Sequence, residues 1–521
     1  MAEVKRSQYL DSIWQYKDQD VIKILSGIRR CGKSTIMIQF IDMLKESGVS
    51  EDFITYKDME SLTNERFRDG MVLYEHIMSM DRTNRRYILI DEVQNIEGWE
   101  RIVNSLKKDI DCDIYLTGSN AYMLSSDIST LLTGRSHTFR ILPLSLSETC
   151  ELGLANDPRE GYRRYAVYGG LPFMRPDMHD SIIRQRIEDI KSDIILKDIC
   201  NRKKRIDSNK IRKVIRYLYS EIGNPISVDK VAKNLDISTS TASEYLQLIV
   251  DSMLFMKAER FDIKGKAILT TDPKYYCTDL GMRNTQPLSE RRDRGRMMEN
   301  IVYLELVRRG YEVYIGKVDS DLEVDFIARK GDRTEYYQVT ESLKDVKTNE
   351  REYRSLRALT ARGERYIITD DGVPKTANDD AIVMDIVDFL MGDDEFKDAG
   401  FGKGRLQAYQ QLSRELERYK SICSKIFAKK ITRQNFDELS VMMQTAFFDL
   451  QSDFRSPYMI EEGKLQGWLI DIRNDNVRLH NKMRQCVNAN EVPMFTPNHD
   501  GEMERLTNIQ EELNKMIARM Q

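Results

Sequence analysis

The amino-acid sequence predicts an α/β protein whose N-terminal part is a doubly wound parallel sheet. Two continuous apolar runs, at residues 22–27 and 86–91, have the length and composition of strands that are buried on both faces. Strand-like and helical patterns alternate from residue 1 to about residue 147. This alternation is typical of a parallel sheet covered by helices, and it defines the first predicted domain, residues 1–147.

The first apolar run leads directly into a glycine-rich loop with the spacing G-x-x-x-x-G-K-S. Backbone N–H groups of such a loop point inward, and the following helix N-terminus adds partial positive charge, so the loop is suited to bind phosphate. We expect Lys33 to reach the β- and γ-phosphates of a nucleoside triphosphate and the Ser34 hydroxyl to bind Mg²⁺. The predicted nucleotide-binding residues of this P-loop are Gly27, Arg30, Cys31, Gly32, Lys33, Ser34 and Thr35. An ordinary glycine-rich turn is the alternative interpretation.

The second apolar run ends in two carboxylates, Asp91 and Glu92. We expect Asp91 to hold Mg²⁺ and Glu92 to orient and polarise the attacking water. A third strand-like run ends in small polar residues, of which Ser119 or Asn120 is expected to contact the γ-phosphate; Asn120 is the catalytic candidate. The base-recognition signal N-[TK]-x-D of GTPases is absent from the sequence, which favours ATP over GTP.

The composition of the chain excludes several classes of protein. With 521 residues, of which 41% are hydrophobic and 31% charged, the chain is expected to form several globular domains. A formal net charge of −4 predicts no overall polybasic affinity for nucleic acid or membranes. Seven scattered cysteines and only five histidines argue against a structural zinc site or a disulfide framework. No apolar run approaches membrane-spanning length, and we expect a cytoplasmic protein.

Residues 148–205 are predicted to form a small helical lid over the nucleotide. The helical pattern is interrupted before Pro172, which is a candidate contact to adenine, although a plain loop between two helices gives the same pattern. Arg135 precedes another strand-like run and is a candidate to face the γ-phosphate of a neighbouring subunit and stabilise the transition state. The alternative for Arg135 is a surface side chain that pairs with Asp127 or with solvent.

Residues 206–279 contain three helical patterns followed by two strand-like runs and predict a winged helix-turn-helix. The strand-like runs are residues 254–260 and 266–271. The third helix begins with the hydroxyl side chains of residues 238–241, which are suited to contact base edges and phosphates. The basic run 202–205 and Lys266 add candidate phosphate contacts. Because such modules also serve in packing or regulation, binding of double-stranded DNA is one of two alternatives for this segment.

The next segment follows the order helix, three strands, helix, strand, which is typical of a restriction-endonuclease-like fold. Glu299 and Asp325 stand where such enzymes hold Mg²⁺, with Glu323 nearby. The third strand reads Gln338-Val-Thr340, so an amide replaces one carboxylate and the usual lysine is gone. Nuclease activity is therefore not expected, although Lys344 could substitute for the missing lysine.

The last part of the chain is predicted to be helical, because apolar residues recur there with alternating spacings of three and four. One such stripe runs from Tyr409 to Ile426 and another from Leu506 to Met520. Stripes of this kind pack most simply against one another in a small bundle. The domains predicted after the sheet are a helical lid at 148–205, a winged helix-turn-helix at 206–279, a restriction-endonuclease-like domain at 280–392 and a helical region at 404–521.

Taken together, the motifs resemble a large prokaryotic family of AAA+-type ATPases that carry a C-terminal domain of unknown function. The segments that carry the resemblance are residues 27–35, 87–94, 116–120, 132–135, 142–145, 168–172, 276–281, 299–302 and 323–326. The resemblance covers about residues 1–392 and leaves the helical tail outside. It implies ATP binding and hydrolysis, a winged-helix segment and a nuclease-like, often degenerate, C-terminal domain.

The leading functional interpretation is a Mg²⁺-dependent ATPase that uses its nucleotide state to move the lid and the winged helix relative to the core. One alternative is a nucleotide switch with slow hydrolysis, in which ATP or ADP decides which surface a protein partner meets, in signalling or defence. A second alternative is a DNA nuclease gated by ATP, against which the changes at Gln338 and Thr340 argue. We also expect a homo-oligomer, an unknown protein partner for the C-terminal helices, and no membrane partner.

Overall fold

The computed structural model divides the chain into two units, residues 1–391 and residues 392–521. The residues it describes are 4–81, 83–119, 135–155, 157–200, 206–265, 267–285, 294–319, 322–359, 363–372, 375–378, 380–392, 412–424, 435–454 and short helical stretches between 472 and 514. Asn120, Asp127, the basic run 202–205 and Lys266 lie outside the described residues. Within those ranges, no helix combines the length and the apolar character that crossing a bilayer requires.

The first unit begins with a five-stranded sheet in the order β2-β3-β4-β1-β5, in which every strand pair is parallel. Its strands are β1 (Ile22–Gly27), β2 (Ile54–Asp58), β3 (Arg86–Asp91), β4 (Cys112–Ser119) and β5 (Ser136–Arg140). The helices around it are α1 (Ser7–Gln15), α2 (Lys33–Glu46), α3 (Gly70–Met78) and α4 (Trp99–Asp109). The predicted α/β class and the parallel sheet are confirmed.

Side chains of each central strand alternate between two apolar cores. Leu25 of β1 packs on the face covered by α1 and α2, together with Phe40. Its neighbour Ile24 packs on the opposite face with Val103 of α4. Successive strand residues point to opposite faces, so a strand that is apolar throughout must be covered on both. This is why the two continuous apolar runs are central strands of a helix-covered sheet.

A group of helices follows the sheet, and most of them begin at a side-chain cap. They are α5 (Leu146–Glu151), α6 (Pro158–Tyr168), α7 (Asp180–Asp193), a π-helical turn (Ile194–Ile199), α8 (Ser208–Ser220), α9 (Val228–Leu235) and α10 (Thr239–Asp251). Ser145 and Glu148 form a reciprocal capping box at α5. The side chains of Asp157 and Ser238 cap α6 and α10, because each accepts a hydrogen bond from a backbone N–H in the first turn of its helix.

The second sheet has eight strands in the order β12-β13-β11-β10-β9-β8-β6-β7. Its strands are β6 (Phe255–Asp262), β7 (Ala267–Cys277), β8 (Glu312–Lys317), β9 (Glu323–Lys330), β10 (Arg333–Thr340), β11 (Glu364–Thr369), β12 (Thr376–Ala377) and β13 (Ile382–Asp385). Its helices are α11 (Leu280–Asn284), α12 (Arg294–Arg308), α13 (Val346–Arg357) and α14 (Ile386–Met391). The order α12-β8-β9-β10-α13-β11 matches the predicted order of elements, which by itself does not establish an endonuclease-like fold.

The hairpin of β6 and β7 differs from its prediction in extent and in surroundings. The second strand reaches Cys277, whereas the sequence predicts an end near residue 271. On its other side β6 pairs in parallel with β8, through Arg260–Ile315, Phe261–Gly316 and Asp262–Lys317. The hairpin is therefore part of the eight-stranded sheet. The local pattern of the sequence predicts a strand and its turn, but it contains no information about a partner fifty residues away.

Two of the sequence motifs pack directly against each other although they are far apart in the chain. Asp279 is fully buried, and its Oδ2 accepts the backbone N–H of Gly170 at 2.8 Å. Burial raises the pKa of Asp279 to about 6, while hydrogen bonds from the backbone of Gly170, Met282 and Gly281 oppose that rise. The loop after α6 is thereby fastened to the segment that joins β7 to α11.

A second link joins the same segment to α12. The side chain of Asn300 is fully buried; its Oδ1 accepts from the Cys277 N–H at 2.8 Å and its Nδ2 donates to the Cys277 carbonyl at 2.9 Å. A single amide side chain thus satisfies both backbone groups of one residue. The helical group and the second sheet therefore share one apolar core with one face of the first sheet.

The second unit is helical where it is described. Residues 412–424 form one helix and α15 (Phe436–Phe454) another. Of the predicted stripe, Leu412, Leu416 and Cys423 are buried, and Tyr419 donates to Asn476 Oδ1 at 3.0 Å. Tyr409, Ile426 and Met520 lie outside the described residues.

We expect Gly169→Ala to lower the free energy of unfolding by about 3 kcal/mol or more. Gly169 has φ +73°, and a Cβ there would overlap the buried carboxylate of Asp279. Gly331→Ala is a matched control, because Gly331 also has positive φ (+57°) but open space where a Cβ would lie. The control is expected to cost only about 1–2 kcal/mol for the left-handed backbone. Equal losses in chemical denaturation would contradict the packing described for Asp279.

Candidate active site

The carboxyl edge of the parallel sheet brings the P-loop next to the two predicted carboxylates. β1 ends at Gly27 and β3 ends at Asp91, and the register pairs Gly27 with Ser119 of β4. Because neighbouring parallel strands end at the same edge, the residues that follow them converge there. Residues 28–32 form the loop, and α2 starts at Lys33 with Gly32 as its N-cap residue.

Two glycines shape this loop for different reasons. A Cβ on Gly27 would overlap the Ile141 carbonyl oxygen and would lie 2.8 Å from Cys31 Sγ, so only glycine fits. Gly32 has φ +103° and Arg30 has φ +64°, both in the left-handed region. A backbone that alternates between right- and left-handed conformations forms the concave N–H cradles that bind anions. The loop thus has the backbone shape that its sequence predicts.

Lys33 is folded back onto the loop that precedes it. Its Nζ donates to the Gly27 carbonyl at 2.9 Å and to the Ile28 carbonyl at 3.2 Å. The same atom lies 3.9 Å from Glu92 Oε1, and the side chain is only 5% exposed. Charged phosphate oxygens accept hydrogen bonds from an ammonium group more strongly than neutral carbonyls do. A phosphate in the loop would therefore compete directly for the protons of Lys33.

Three hydroxyl groups hold the carboxylate of Asp91 at the end of β3. Thr117 of β4 donates to Oδ1, Tyr56 of β2 donates to Oδ2 at 3.3 Å, and Ser34 of the loop also donates to this carboxylate. Burial raises the pKa of Asp91, and the hydrogen bonds from Ser34 and Thr117 oppose that rise. Hydroxyl and carboxylate oxygens are ligands that Mg²⁺ prefers. The contact between Ser34 and Asp91 therefore fits the predicted cation.

Glu92 occupies a strained backbone position next to this cluster. Its φ and ψ are +55° and +54°, a conformation that costs a residue with a side chain about 1–2 kcal/mol. The Glu92 N–H donates to Thr117 Oγ1 at 2.9 Å, and the Gln94 amide donates to its carboxylate. Strain of this kind is common at functional sites, where the surrounding structure enforces it. Here it turns the carboxylate toward Lys33.

Arg6 and Pro172 lie against the outside of the P-loop. Arg6 is 2% exposed; it donates to the Cys31 carbonyl at 3.1 Å and pairs with Glu148 at 2.8 Å. A Cβ on Gly32 would lie 3.3 Å from Arg6 Nη1 and 3.7 Å from Pro172 Cγ. Pro172 is thus next to the loop, as expected of a lid residue, and its contact to adenine stays a prediction. Arg6 was not predicted, because a single arginine before a helix has no distinguishing pattern.

Arg135 is not brought to the P-loop of its own chain. It precedes β5 and accepts a backbone hydrogen bond from Ile22 at 2.7 Å, at the start of β1. The whole of β1 separates it from Gly27, about 17 Å at the usual rise per residue. Arg135 is exposed at the opposite edge of the sheet. A role toward a neighbouring subunit stays a prediction, and Asn120 lies outside the described residues.

Besides Arg6, Thr117 and Tyr56 are site residues that the sequence did not predict. Both contact Asp91 from strands that flank β3. Thr117 stands before the small polar residues at which β4 was predicted to end, and Tyr56 lies in β2 without a neighbouring motif. Only the strand order places them beside the carboxylate. The polar end of an otherwise apolar strand was the available signal for Thr117.

A second group of charged side chains lies where β7, α12 and β9 meet. Lys274 Nζ is 3.0 Å from Glu299 Oε1 and 3.1 Å from Glu323 Oε1. Burial disfavours the charged amine, but the attraction of Glu299, Asp325 and Glu323 is stronger and raises the pKa of Lys274 above its ordinary value. Lys274 thus places a fixed positive charge among the carboxylates that were predicted as nuclease ligands.

The remaining members of the predicted nuclease site are occupied by hydrogen bonds within the protein. The Gln338 side chain accepts from the Asp325 N–H at 2.7 Å and donates to Glu352 Oε2 at 2.7 Å. Asp325 Oδ2 accepts from the Val339 N–H at 2.8 Å. Lys344, the candidate replacement lysine, is 78% exposed and pairs with Asp371 at 3.4 Å. Among the described residues, no group of three or more His, Cys, Asp or Glu side chains is arranged to hold a metal ion.

Comparison with known proteins agrees with this geometry. Residues 19–150 match a family model described as an AAA domain, and residues 159–292 match a model described as a domain of unknown function (DUF8612). An uncharacterized protein of Haemophilus influenzae is 35% identical over 402 residues, which cover 75% of this chain and 99% of that protein. The chain belongs to the same protein family as this Haemophilus influenzae protein, and it carries the matched AAA domain. The predicted resemblance is thereby confirmed for its P-loop ATPase part.

A second relative and the solved structures add less. An uncharacterized protein of Methanocaldococcus jannaschii is 27% identical over 398 residues, covering 71% of this chain and 87% of that protein. The replication initiator DnaA bound to AMPPCP and single-stranded DNA is 15% identical and covers 48% of this chain and 89% of its own, with a TM-score of 0.26. AMPPCP-bound DnaA from Aquifex aeolicus is 13% identical, with coverages of 48% and 88% and a TM-score of 0.24. TM-scores of this size carry no argument about this chain.

Proposed function

We propose that this protein is a Mg²⁺-dependent ATPase that converts ATP and water to ADP and phosphate. The observation that carries the proposal is the convergence of Lys33, Asp91 and Glu92 on the loop at one edge of the parallel sheet. Lys33 contacts Glu92 at 3.9 Å, and Ser34 hydrogen-bonds Asp91, so one bound triphosphate would meet all four side chains. The AAA-domain match over residues 19–150 supports the same assignment.

The proposed reaction begins when the loop N–H groups and the α2 N-terminus bind the phosphates. Lys33 exchanges its two carbonyl acceptors for oxygens of the β- and γ-phosphates. Glu92 accepts a proton from a water molecule, whose oxygen forms a bond to the γ-phosphorus. The bond between that phosphorus and the bridging oxygen breaks, and ADP keeps the electron pair. Ser34 and Asp91 would hold Mg²⁺, which neutralises charge on the phosphate oxygens.

We propose further that nucleotide state is transmitted to the helical group and to a winged helix-turn-helix. Pro172 lies next to Gly32 of the loop, and two residues earlier Gly170 donates to Asp279. Asp279 follows β7, the second strand of the proposed wing. These contacts form a continuous path from the nucleotide site to the segment 206–279. The lid role of residues 148–205 and the contact of Pro172 with adenine are parts of this proposal.

A second proposed function is contact with double-stranded DNA through α10. The side chains of Ser238, Thr239 and Ser240 are exposed at the start of this 13-residue helix. Hydroxyl groups and a helix N-terminus are common phosphate and base contacts in helix-turn-helix proteins. The short turn between α9 and α10 is compatible with this arrangement.

We propose no nuclease activity for the second sheet. Lys274 pairs with Glu299 and Glu323, and the amide of Gln338 bonds to the Asp325 N–H and to Glu352. The cluster is better suited to hold β7 against β9 and α12, because breaking one partner would leave a buried charge uncompensated.

We expect Lys33→Ala to weaken ATP binding by roughly 100-fold, because a charge-assisted contact to the phosphates is lost. Isothermal titration calorimetry with ATP and Mg²⁺ would measure this. Lys45→Ala is the control, since Lys45 lies on the same helix but is exposed and pairs with Glu51. Unchanged affinity in Lys33→Ala would exclude the assignment of the P-loop.

We expect Glu92→Gln to keep ATP affinity near that of the wild type and to slow turnover by about 100-fold or more, because the amide cannot accept the proton. Steady-state phosphate release measures the rate. Glu97→Gln is the control, because Glu97 is exposed five residues further along the chain. If Glu92→Gln releases phosphate at the wild-type rate, Glu92 is not the base.

We expect double-stranded DNA to increase the ATPase rate and Ser240→Glu to abolish that increase, since a carboxylate at the start of α10 repels phosphates. Gln247→Glu adds the same charge to an exposed position further along α10 and serves as the control. Rates are measured with and without DNA, alongside the molecular mass in each nucleotide state. A rate that DNA does not change would favour the nucleotide switch with a protein partner.

A further inference from the structure

Arg29 of the P-loop is held by two carboxylates that lie outside the loop. Its Nε donates to both oxygens of Asp198, at 3.0 and 3.1 Å, and its Nη1 lies 3.3 Å from Glu60 Oε1. Glu60 is exposed, whereas the side chain of Asp198 is only 5% exposed. The contact to Asp198 is therefore the stronger of the two, because solvent screens it less.

Asp198 belongs to the π-helical turn that continues α7. Ile194, Ile195 and Ile199 of this turn are buried in the apolar core and Leu196 is exposed, whereas Asp198 faces the loop. Burial raises the pKa of Asp198, and the positive charges of Arg29 and then Lys33 oppose that rise. The contact with Arg29 places the carboxylate against a residue of the P-loop. π-helical turns are rare and occur frequently at functional sites.

We propose that Arg29 and Asp198 form a nucleotide-sensitive ion pair. The proposal rests on the proposed function, namely that ATP binds at the P-loop. A guanidinium binds phosphate oxygens in the same forked geometry that it uses with a carboxylate, so triphosphate in the loop competes with Asp198 for Arg29. Phosphate also repels the nearby carboxylate, which favours the separated state further.

Release of Arg29 has a direct consequence for the π-helical turn. Asp198 then remains as a buried carboxylate without its cation, which is costly, so the turn is expected to move toward water. The turn packs against α7 and against α8, the first helix of the segment proposed as a winged helix. Arg29 therefore links the nucleotide site to α8 by a route separate from Pro172 and Asp279.

The test compares ATP affinity and backbone hydrogen exchange in wild type, Asp198→Asn and Arg29→Gln, with a non-hydrolysable ATP analogue and Mg²⁺. In wild type we expect the analogue to increase exchange at residues 194–199. Asp198→Asn is expected to bind the analogue about 5-fold or more tightly than wild type and to show fast exchange at 194–199 without it. Arg29→Gln is expected to bind more weakly, with exchange that the analogue no longer changes.

Asp193→Asn is the matched control. Asp193 stands one turn before Asp198 and pairs with Lys197 at 3.1 Å, with both side chains about half exposed. It should behave as wild type in both measurements.

If wild type does not bind the analogue, the proposed function fails. If wild type binds it, but exchange at 194–199 is unchanged and Asp198→Asn and Arg29→Gln bind as wild type does, the ion pair is not nucleotide-sensitive and this inference is overturned.

Discussion

The carboxylate of Asp91 is the interaction on which the proposed site depends. It lies at the end of a fully buried strand and receives hydroxyl groups from Tyr56, Thr117 and Ser34. Burial alone would favour its neutral form, so these donors are what allow a charged carboxylate to stand at this edge. They also join three strands and the P-loop at one point. Thr117 Oγ1 also accepts a hydrogen bond from the Glu92 N–H and so holds the strained backbone of Glu92. In this conformation the Glu92 carboxylate lies next to Lys33.

A small number of buried hydrogen bonds likewise connects the first sheet to the rest of the first unit. A few buried polar side chains that bond to backbone groups join segments more than a hundred residues apart. Arg6 donates to the carbonyl of Leu142, and Asp279 accepts the N–H of Gly170. Buried polar groups of this kind are costly unless their geometry is complete, so they specify one arrangement of the segments. A change in the loop can therefore be passed to the helices that contact it.

Two carboxylates at the second sheet lie in ion pairs with a lysine of the same sheet. The sequence predicts Glu299, Glu323 and Asp325 as candidates for metal binding. In the structure the amine of Lys274, from the neighbouring hairpin, lies between two of them. Lys274 supplies one positive charge to this cluster, and Arg260 supplies a second at Glu323. The extension of β7 to Cys277 carries Lys274 there, and the pairing of β6 with β8 makes the hairpin part of this sheet.

The sequence by itself determined the parallel sheet, the P-loop and the two carboxylates at the end of β3. Each of these features can be predicted from residues that are neighbours in the sequence, because an apolar run, a glycine spacing and a charged strand end are local patterns. Only the tertiary structure decided that Thr117 and Tyr56 flank Asp91, that Arg135 lies at the opposite edge, and that Arg29 meets Asp198. These facts follow from strand order and helix packing, which join residues up to 169 positions apart. No local pattern encodes such a pairing, since the energy that selects it arises only when the distant segments are packed together.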